Sequence, residues 1–567
     1  METANRLLEK VFRLLLHPAM IVLAAIGYFV LIRYIDTRWR YMPYVFASTL
    51  CISAVVYLMS RRPVFSLYFG GFVILMITAA SIVKYKLKGL GLHVYDLVFT
   101  GADLSAVTFL VSSYNSIFTG ALGVLVVAAL FLAMLYRAEA PLGLRLRSRL
   151  ALVAAGVVLP VALYPPKRVE EADYLPFVLG YNASAFLLSL GQVDVPIGQI
   201  NLASRAEAAP TPDALVNSVE CGAGRKPDIF MVLAETQGDL SVFPQLRSTE
   251  AITESMRSSD GRLRPLYVEV FGGGTWVTNF SVLTGLSSVD FGWQSSYVSE
   301  LMEGRISGAL PEVLARCGYR TITVMPMDYN FVNEGPFLKS IGMQEVYDAA
   351  DIGVEPLPHF DRTYFEFAEK LIREHREKDG RPLFLAVQTM FPHTPYEKNE
   401  AWERELPDTR FSDDEKANEY IRRVALARRD MQAFVAARRA DPGAQGSLVV
   451  EFGDHHSEAV RDFVFALAGG AASLGDFRSI AYRTYYAVHD LGVGVDFSKL
   501  AGGEDVPFLA ARLIDAARLP TSPMFRDLGR LAEHCKGRFH TCEDRAAVDR
   551  HLRKRANGGL LRLDLKS

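Results

Sequence analysis

The chain has 567 residues, which is more than one compact hydrophobic core usually serves, so we expect two or more domains. The net charge of -2 argues against a nucleic-acid-binding protein, because no domain-wide basic face stands out. Hydrophobic residues make up 50% of the chain, and the excess is concentrated in the first 165 residues.

Five apolar runs in this region predict five transmembrane helices. They cover residues 18–35, 42–60, 64–83, 117–136 and 150–165. A helix that crosses a bilayer needs about 20 apolar residues, and the first four runs meet this length. The fifth run is shorter and contains Pro160. Further spans follow the first run without a small-residue processing site, which argues against a cleaved signal peptide.

The distribution of Lys and Arg predicts the orientation of these helices. Basic residues cluster before the first span, between the second and third, and between the fourth and fifth (Arg6, Lys10, Arg13; Arg61, Arg62; Arg137, Arg145, Arg147, Arg149). With five spans, all three clusters lie on one side, which the positive-inside rule assigns to the cytoplasm. The loop 33–41 also carries arginines and is a mild exception. The N-terminus is therefore expected inside, and everything after about residue 166 outside.

The cysteines agree with an outer, oxidising compartment. Cys51 lies within a predicted span, whereas the other four, an even number, belong to the outer part (Cys221, Cys317, Cys535, Cys542). The stretch HCKGRFHTC at 534–542 could be a His/Cys metal cluster, but its spacing matches no familiar zinc site. We therefore favour a disulfide-closed loop there.

Residues after 166 fall into three predicted parts: a connector at 166–222, a catalytic domain at 223–520 and a C-terminal extension at 521–567. Five short apolar runs predict strands at 228–235, 265–272, 319–326, 382–389 and 447–454, and helical patterns such as 305–317, 361–376 and 416–440 lie between them. Apolar strands separated by helices predict an α/β domain with a buried, mostly parallel, helix-flanked sheet. The whole chain would then be an all-α membrane domain of five helices followed by this α/β domain.

Polar residues collect where these predicted strands end. Glu235 ends the first, Gly272–Gly274 and Thr275 follow the second, Asp328 follows the third, His393 follows the fourth, and Asp454, His455 and His456 follow the fifth. Ligands of open α/β sheets bind beyond the carboxyl ends of the strands, so these side chains are expected at one rim. Each residue alone has an ordinary structural explanation, and it is the set that indicates a site.

The stretch FGGGTWVTNFSVLTGL at 271–286 places a hydroxyl after three glycines, at the start of a helical pattern. Thr275 could simply cap that helix, bind an anion, or attack a phosphorus atom. A divalent metal held by Glu235, Asp454 and His455 would leave a position for the Thr275 oxygen and favour the last reading. His393 could then hold a phosphate oxygen or protonate a leaving alkoxide. The role of His456 stays open.

With these motifs, the outer domain resembles the alkaline phosphatase/sulfatase superfamily, and more narrowly the membrane enzymes related to lipoteichoic acid synthase and to the phosphoglycerol transferases of periplasmic glucans. The matching segments are FMVLAET with Glu235, GGGTWVTNFSVLTGL with Thr275, FPHTPY with His393, and VEFGDHH with Asp454 and His455. KYKLKGLGLHVYDL at 84–97 and FLKSIGMQEVYDA at 337–349 also resemble stretches of these enzymes.

This resemblance implies one divalent metal ion, Mn²⁺ or Mg²⁺ before Zn²⁺, bound by the residues at Glu235, Thr275, Asp454 and His455. It implies that Thr275 takes a phospho-head-group from a membrane phospholipid and passes it to a hydroxyl of an envelope glycan or lipid. It places the protein in the bacterial cytoplasmic (inner) membrane with a periplasmic or extracellular catalytic domain.

In the phosphoglycerol enzymes a Trp-Asn-Arg-like segment after the third strand grips the head group. This chain has MDYNFVNEG at 327–335, where Asn333 fits but the Trp and Arg are absent. Asp328 is a further candidate in this segment, and Trp276 is either a substitute aromatic or a core residue. Phosphoglycerol specificity is therefore an open point of the resemblance.

Several alternatives remain. The lipid A phosphoethanolamine transferases resemble this chain in their five spans and threonine nucleophile, but their nucleophile segment usually contains cysteines, which 271–286 lacks. A phospholipid-cleaving phosphodiesterase would use the same residues with water as acceptor. A non-enzymatic membrane scaffold or sensor would not need the intact set, and a transporter would carry charges inside its spans. A true sulfatase needs a C/S-x-P-x-R stretch before a helix, which is absent here.

Overall fold

The computed structural model describes residues 12–36, 39–88, 91–101, 103–164, 182–192, 211–222, 226–355, 358–397, 402, 404–406, 409–470, 475–500 and 502–563. The chain divides into two compact units. The first comprises Met1–Ala102 and Leu110–Val195, and the second comprises Asp103–Phe109 and Pro196–Ser567. Most of the predicted connector, at 165–181 and 193–210, lies outside the described residues.

Long apolar helices make up the first unit. In chain order its described helices are α1 (Pro18–Ile35), α2 (Met42–Ser60), α3 (Pro63–Lys88), α4 (Leu104–Ser113, whose first residues group with the second unit), α5 (Asn115–Ala138), α6 (Leu146–Leu163) and α7 (Ala183–Ser189). Five segments, Pro18–Ile35, Trp39–Ser60, Pro63–Tyr85, Asn115–Ala138 and Leu146–Leu163, are long and apolar enough to cross a membrane. The prediction of five helices is confirmed.

Prolines lie at the start of two of these helices and inside a third. Pro18 and Pro63 occupy the first residue of α1 and α3, where the missing N–H leaves no hydrogen bond unmade. Pro160 lies inside α6, and the helix continues past it to Leu163. The fifth apolar run is thus helical despite its proline.

One mixed sheet organises the second unit. Its strands are β1 (Asp228–Ala234), β2 (Arg264–Tyr267), β3 (Arg320–Val324), β4 (Glu345–Tyr347), β5 (Leu383–Gln388), β6 (Ser447–Gly453), β7 (Arg483–Leu491) and β8 (Glu504–Asp505). Their order is β4-β3-β5-β1-β6-β7-β2-β8. The pairs from β4 to β6 are parallel, β7 is antiparallel to both of its neighbours, and β2 pairs in parallel with β8. The predicted α/β class with a mostly parallel sheet is confirmed.

The helices of this unit connect the strands and cover the sheet. They are α8 (Glu250–Ser255), α9 (Thr275–Thr284), α10 (Val298–Met302), α11 (Leu310–Arg316), α12 (Glu334–Ser340), α13 (Ala349–Ile352), α14 (Asp361–Lys378), α15 (Glu415–Ala440), α16 (Arg461–Ala468), α17 (Leu509–Ala517), α18 (Pro523–His534) and α19 (Arg545–Asn557). Phe230 and Val232 of β1 share a buried apolar cluster with Phe365 of α14 and Phe434 of α15. This core fixes the strands whose ends carry the candidate site.

Two disulfides join the four cysteines of the second unit. Cys221 pairs with Cys317 across 96 residues of sequence, and Cys535 pairs with Cys542. The second bond closes the loop at 534–542, whereas Cys51 is free.

Candidate active site

The register of β1 and β6 brings two acidic residues together. The strands run in parallel with Ala234 opposite Gly453, so the next residues, Glu235 and Asp454, emerge side by side at the same edge of the sheet. Both side chains are buried. The backbone N–H of Thr236 donates a 2.6 Å hydrogen bond to Asp454 Oδ1, which ties the end of β1 to the end of β6.

Glycines let the chain turn from β2 into the helix that carries Thr275. Gly272, Gly273 and Gly274 all have positive φ angles (71°, 136° and 100°), a region that other residues rarely adopt. Helix α9 begins immediately afterwards at Thr275. The Thr275 hydroxyl donates a 2.8 Å hydrogen bond to Glu235 Oε2, and its oxygen lies 3.5 Å from His455 Nε2. The threonine is half-buried, at the positive end of the helix dipole.

The ligand atoms of Glu235, Asp454 and His455 lie within 4.8 Å of one another. His455 Nε2 is 3.2 Å from Asp454 Oδ2 and 3.8 Å from Glu235 Oε1. His455 Nδ1 lies 3.0 Å from the carbonyl oxygen of His456, which can only accept, so Nδ1 carries a proton and Nε2 is the nitrogen that faces the carboxylates.

This donor set fits a divalent cation. Two carboxylates and an imidazole nitrogen face one another, no Lys or Arg among the described residues forms an ion pair with either carboxylate, and Asp454 Oδ2 is buried without a well-aligned hydrogen bond. Burial raises the pKa of Asp454 to about 6, and burial followed by the Asp454 charge raises the pKa of Glu235. Oxygen and imidazole ligands suit Mn²⁺, Mg²⁺ or Zn²⁺. We therefore assign Glu235, Asp454 and His455 as a candidate metal centre.

His393 and Trp276 lie in the surroundings of this centre. His393 is half-buried, and its charge lowers the pKa of Glu235, against the larger effects of burial and of Asp454. Its Nδ1 is 2.6 Å from the carbonyl oxygen of Thr394, so Nδ1 carries a proton. The indole N–H of Trp276 donates a 3.0 Å hydrogen bond to the Ser296 carbonyl. The Trp276 ring is thereby fixed beside Thr275.

Asp328 and Asn333 make other contacts. Asp328 is exposed and accepts a 2.9 Å hydrogen bond from the N–H of Asn330, as in a turn. The Asn333 amide donates to Glu303 at 2.9 Å and to the Ser299 carbonyl at 3.4 Å. Within the described residues, no hydrogen bond joins either side chain to Thr275 or to the metal centre. Their predicted contact with substrate stays a prediction.

Residues that the sequence analysis did not single out also support the candidate metal centre. The Thr236 hydroxyl donates a 2.5 Å hydrogen bond to Glu235 Oε1, and Tyr420 donates at 2.8 Å to the Thr236 carbonyl. Glu334 is buried, and its Oε1 accepts 2.9 Å and 2.8 Å hydrogen bonds from the amides of Asn279 on α9 and Gln388 at the end of β5. Burial raises the pKa of Glu334, and the charge of Glu235 raises it further, which places Glu334 within electrostatic reach of the centre. Only the acidic character of Glu334, directly after Asn333, was visible in the sequence.

The structure gives His456 a packing role. Its ring is fully buried and lies 5.3 Å from the Phe243 ring, and a Cβ added at Gly238 would lie 1.9 Å from its Nδ1. Burial lowers its pKa to about 4, so the ring is neutral. A core histidine explains its place beside the Asp454–His455 pair.

The short segment 103–109 contributes to the same region. The ring of Phe109 lies 5.4 Å from both Phe331 and His393, and Phe331 lies 6.2 Å from Trp276. Asp103 Oδ2 accepts a 3.2 Å hydrogen bond from the N–H of Val332. The four rings Trp276, Phe331, Phe109 and His393 form a row that we call the aromatic wall.

A family model described as Sulfatase matches residues 227–510, half of the chain. This range contains Glu235, Thr275, His393, Asp454 and His455. The chain belongs to the sulfatase family. The resemblance to this superfamily, inferred from the motifs, is confirmed. A Haemophilus influenzae relative, described only as an uncharacterized protein, is 25% identical over 218 residues, which are 35% of this chain and 38% of that protein. The match thus spans well under half of the relative's length.

Solved structures that are similar to this sulfatase-family chain include three enzymes. The Listeria monocytogenes lipoteichoic acid synthase LtaP is 16% identical with a TM-score of 0.40, covering 56% of this chain and 78% of that one. The Streptococcus pyogenes phosphoglycerol transferase GacH, in complex with sn-glycerol-1-phosphate, is 15% identical with a TM-score of 0.46, covering 62% and 89%. The Neisseria meningitidis lipooligosaccharide phosphoethanolamine transferase EptA is 11% identical with a TM-score of 0.44, covering 86% and 95%. These distant likenesses assign no substrate to this chain.

Proposed function

We propose that the protein is a membrane-anchored, metal-dependent transferase that moves a phosphoglycerol-type head group from a membrane phospholipid to a hydroxyl of an extracytoplasmic glycan or lipid. The observation that carries the proposal is the position of the Thr275 hydroxyl, 2.8 Å from Glu235 and 3.5 Å from His455 at the first residue of α9. A hydroxyl that only capped the helix would bond to backbone N–H groups of the first turn, and Thr275 bonds to a buried carboxylate instead.

The reaction has two balanced steps. In the first, Thr275 Oγ1 gives up its proton and forms a bond to the phosphorus, the bond from phosphorus to the diacylglycerol oxygen breaks, and that oxygen takes up a proton. In the second, the oxygen of an acceptor hydroxyl gives up its proton and forms a bond to the phosphorus, the bond from phosphorus to Thr275 Oγ1 breaks, and Oγ1 takes up a proton. Splitting one transfer into two in this way lets donor and acceptor use the same site in turn.

The chain's own groups divide this work. Glu235 Oε2 accepts the hydrogen bond of the Thr275 hydroxyl, so it orients the oxygen and lies where the proton leaves. The start of α9 directs the positive end of its dipole to the phosphate. His393 is the candidate to hold a phosphate oxygen or to supply the proton for the leaving alkoxide. When bound to Glu235, Asp454 and His455, a divalent ion would supply electrostatic stabilisation of the anionic phosphate.

The five apolar helices would anchor this site at a membrane surface, with phospholipid donors within reach. We place the protein in the bacterial cytoplasmic membrane with its N-terminus inside and its catalytic unit outside. The disulfides Cys221–Cys317 and Cys535–Cys542 support an oxidising compartment for that unit.

Phosphoethanolamine transfer is the second candidate, and Glu334 favours it. Glu334 is a buried carboxylate whose Oε1 is held by two amide donors, and no ion pair to Lys or Arg is formed by it among the described residues. Burial raises the pKa of Glu334, and the ammonium of ethanolamine would favour the ionised form of this carboxyl and be attracted to it, whereas the glycerol head is uncharged. The aromatic wall would add a favourable surface for a cation.

A transfer assay tests the proposal. The full-length protein in detergent, with Mn²⁺, is given phosphatidylglycerol or phosphatidylethanolamine, and released diacylglycerol is measured with Thr275→Ala in parallel. Thr284→Ala is the matched control, because among the described residues that hydroxyl bonds only to the Phe280 carbonyl of its own helix and to the N–H of Leu286. We expect metal-dependent release that Thr275→Ala abolishes and Thr284→Ala retains. Equal release by wild type and Thr275→Ala contradicts the proposal.

A further inference from the structure

The C-terminal half of helix α9 is hydrogen-bonded to the buried carboxylate of Glu269. Ser281 lies six residues after Thr275 on this helix, and its hydroxyl donates a 2.9 Å hydrogen bond to Glu269 Oε2. The same oxygen accepts hydrogen bonds from the N–H (2.7 Å) and hydroxyl (2.6 Å) of Ser288, just beyond the helix. Glu269 thus ties α9 to the segment that follows it. Because an α-helix rises about 1.5 Å per residue, Ser281 lies about 9 Å from Thr275 along the helix axis.

The negative charge of Glu269 is compensated by a histidine from the C-terminal extension. His540 Nε2 lies 3.1 Å from Glu269 Oε1, the carboxylate is fully buried, and the imidazole is 9% exposed. The two atoms are not aligned for a hydrogen bond, so the contact is an ion pair. A buried carboxylate without a nearby cation is strongly disfavoured. His540 therefore determines whether Glu269 can stay charged and hold the serines.

The surroundings fix the imidazole. His540 lies in the loop closed by Cys535–Cys542. Its backbone N–H donates a 3.1 Å hydrogen bond to Asp505 Oδ2, and its ring lies 5.0 Å from Phe477. Asp505 is itself paired with Arg478. Burial lowers the pKa of His540, but Glu269, with Asp505 and Asp290, more than offsets this and raises it above its ordinary value.

The extension supplies a second cation at the end of the same helix. Arg555 of α19 is fully buried, and its guanidinium donates a 3.4 Å hydrogen bond to the carbonyl of Gly285, the residue that ends α9. A positive charge at a helix C-terminus stabilises the helix dipole. Arg555 thus contacts the end of α9 farthest from Thr275, and His540 reaches the same helix through Glu269.

We propose that the C-terminal extension positions the nucleophile helix, with His540 acting through Glu269 and Ser281 to fix where Thr275 lies. His540 is a positioning residue and touches no reacting atom. The proposal rests on the proposed role of Thr275 as the nucleophile. Its rationale is geometric, because a displacement of about 1 Å in a reacting group can lower a rate by roughly a hundredfold.

The test compares His540→Gln with His534→Gln in the full-length protein. His534 belongs to the same extension but is 56% exposed and pairs with Asp544, so it is the matched control. We expect His540→Gln to lower kcat at least about tenfold, with KM for the donor lipid within about twofold, because substrate contacts are unchanged while Thr275 shifts. Amide hydrogen exchange across Thr275–Thr284 should be faster in His540→Gln only.

A folded His540→Gln variant with wild-type kcat and wild-type exchange in α9 overturns the proposal. If this variant does not fold, the double variant Glu269→Gln/His540→Gln tests the proposal instead, because it also removes the Glu269 charge that His540→Gln leaves buried and unpaired. The double variant should show kcat below wild type and faster exchange in α9, and wild-type values for both contradict the proposal. If the wild type transfers no head group, the proposed function fails, whereas the exchange comparison still tests whether His540 holds α9.

Discussion

The Thr275 hydroxyl donates a 2.8 Å hydrogen bond to Glu235 Oε2, although 40 residues separate the two in sequence. The bond joins the first residue of α9 to the end of the central strand β1. His455, after β6, completes the arrangement 3.5 Å from the same hydroxyl. The start of α9, the candidate metal ligands and the proposed nucleophile therefore form one unit, and changes at any of them should have coupled effects.

Asp454→Asn should weaken metal binding at least about a hundredfold, since even the outer partners of metal ligands contribute ten- to a hundredfold. The change keeps the shape of the side chain and removes the charge that balances the cation. Metal content by mass spectrometry and Mn²⁺ titration by calorimetry measure it. Glu250→Gln, at an exposed carboxylate on α8, is the control and should bind like wild type. Unchanged affinity in Asp454→Asn would remove this residue from the metal centre.

Glu334→Gln should shift donor use toward phosphatidylglycerol. A hydrogen bond to a charged group contributes about 1.5–3 kcal/mol, so the ratio of phosphatidylethanolamine to phosphatidylglycerol turnover should fall about ten- to a hundredfold. The ratio is measured by competition between the two lipids in one vesicle. Glu366→Gln, an exposed carboxylate on α14, should leave the ratio unchanged. The same ratio in Glu334→Gln and wild type would show that Glu334 does not face the head group.

The Glu269–His540 pair predicts a pH window for stability. Burial opposes both charges, but the pair raises the pKa of His540 above its usual 6.5 and lowers that of Glu269 below its usual 4.5. A raised histidine pKa gives stability that is complete below 6.5 and lost as pH rises through the folded value. A lowered glutamate pKa gives stability that is complete above 4.5 and lost as pH falls through the folded value.

The pair should therefore stabilise the fold most between about pH 4.5 and 6.5. Thermal denaturation of wild type and of Glu269→Gln/His540→Gln across pH 4 to 9 measures the difference, with His534→Gln as reference. The difference in Tm between wild type and the double variant should become smaller toward pH 9. A gap that widens steadily with pH would contradict the assigned charges.

The two disulfides should differ in their effect on stability. In the chain-entropy account, the 96-residue separation of Cys221–Cys317 corresponds to roughly 4–5 kcal/mol, and the 7-residue separation of Cys535–Cys542 to roughly 2–3 kcal/mol. Paired Cys→Ser variants and urea denaturation of the full-length protein measure both. A larger loss from the short loop would indicate that its role is to hold His540 rather than to restrict the unfolded chain.

The sequence predicted the elements that have strong patterns. The five long apolar runs near the N-terminus are helices in the structure, and the five short apolar runs predicted as strands correspond to β1, β2, β3, β5 and β6. β7 (Arg483–Leu491) was not predicted, because its residues RTYYAVHDL mix polar and apolar types without the apolar run of a buried parallel strand. β4 and β8 are three and two residues long, too short to give a pattern. The predicted strand 265–272 ends at Tyr267, since the following chain leads into the glycine turn.

The site was only partly visible in the sequence, for a physical reason. Glu235, Thr275, Asp454 and His455 follow strands or glycines, so local pattern and sheet topology suffice to group them. Thr236, Glu334 and Tyr420 act through long-range hydrogen bonds within the buried interior, and their spacing carries no signal. Asp328 lay at a strand end like the others, but its carboxylate caps a turn at the surface.

In the proposed reaction, Thr275 carries the head group covalently. The most direct test is peptide mass spectrometry of the full-length protein after incubation with Mn²⁺ and a mixture of phosphatidylglycerol and phosphatidylethanolamine, without acceptor. We expect a phosphoglycerol or phosphoethanolamine adduct on Thr275, absent from Thr275→Ala and retained in Thr284→Ala. Metal-loaded protein that releases diacylglycerol while Thr275 stays unmodified, or that carries the adduct on another residue, would contradict it.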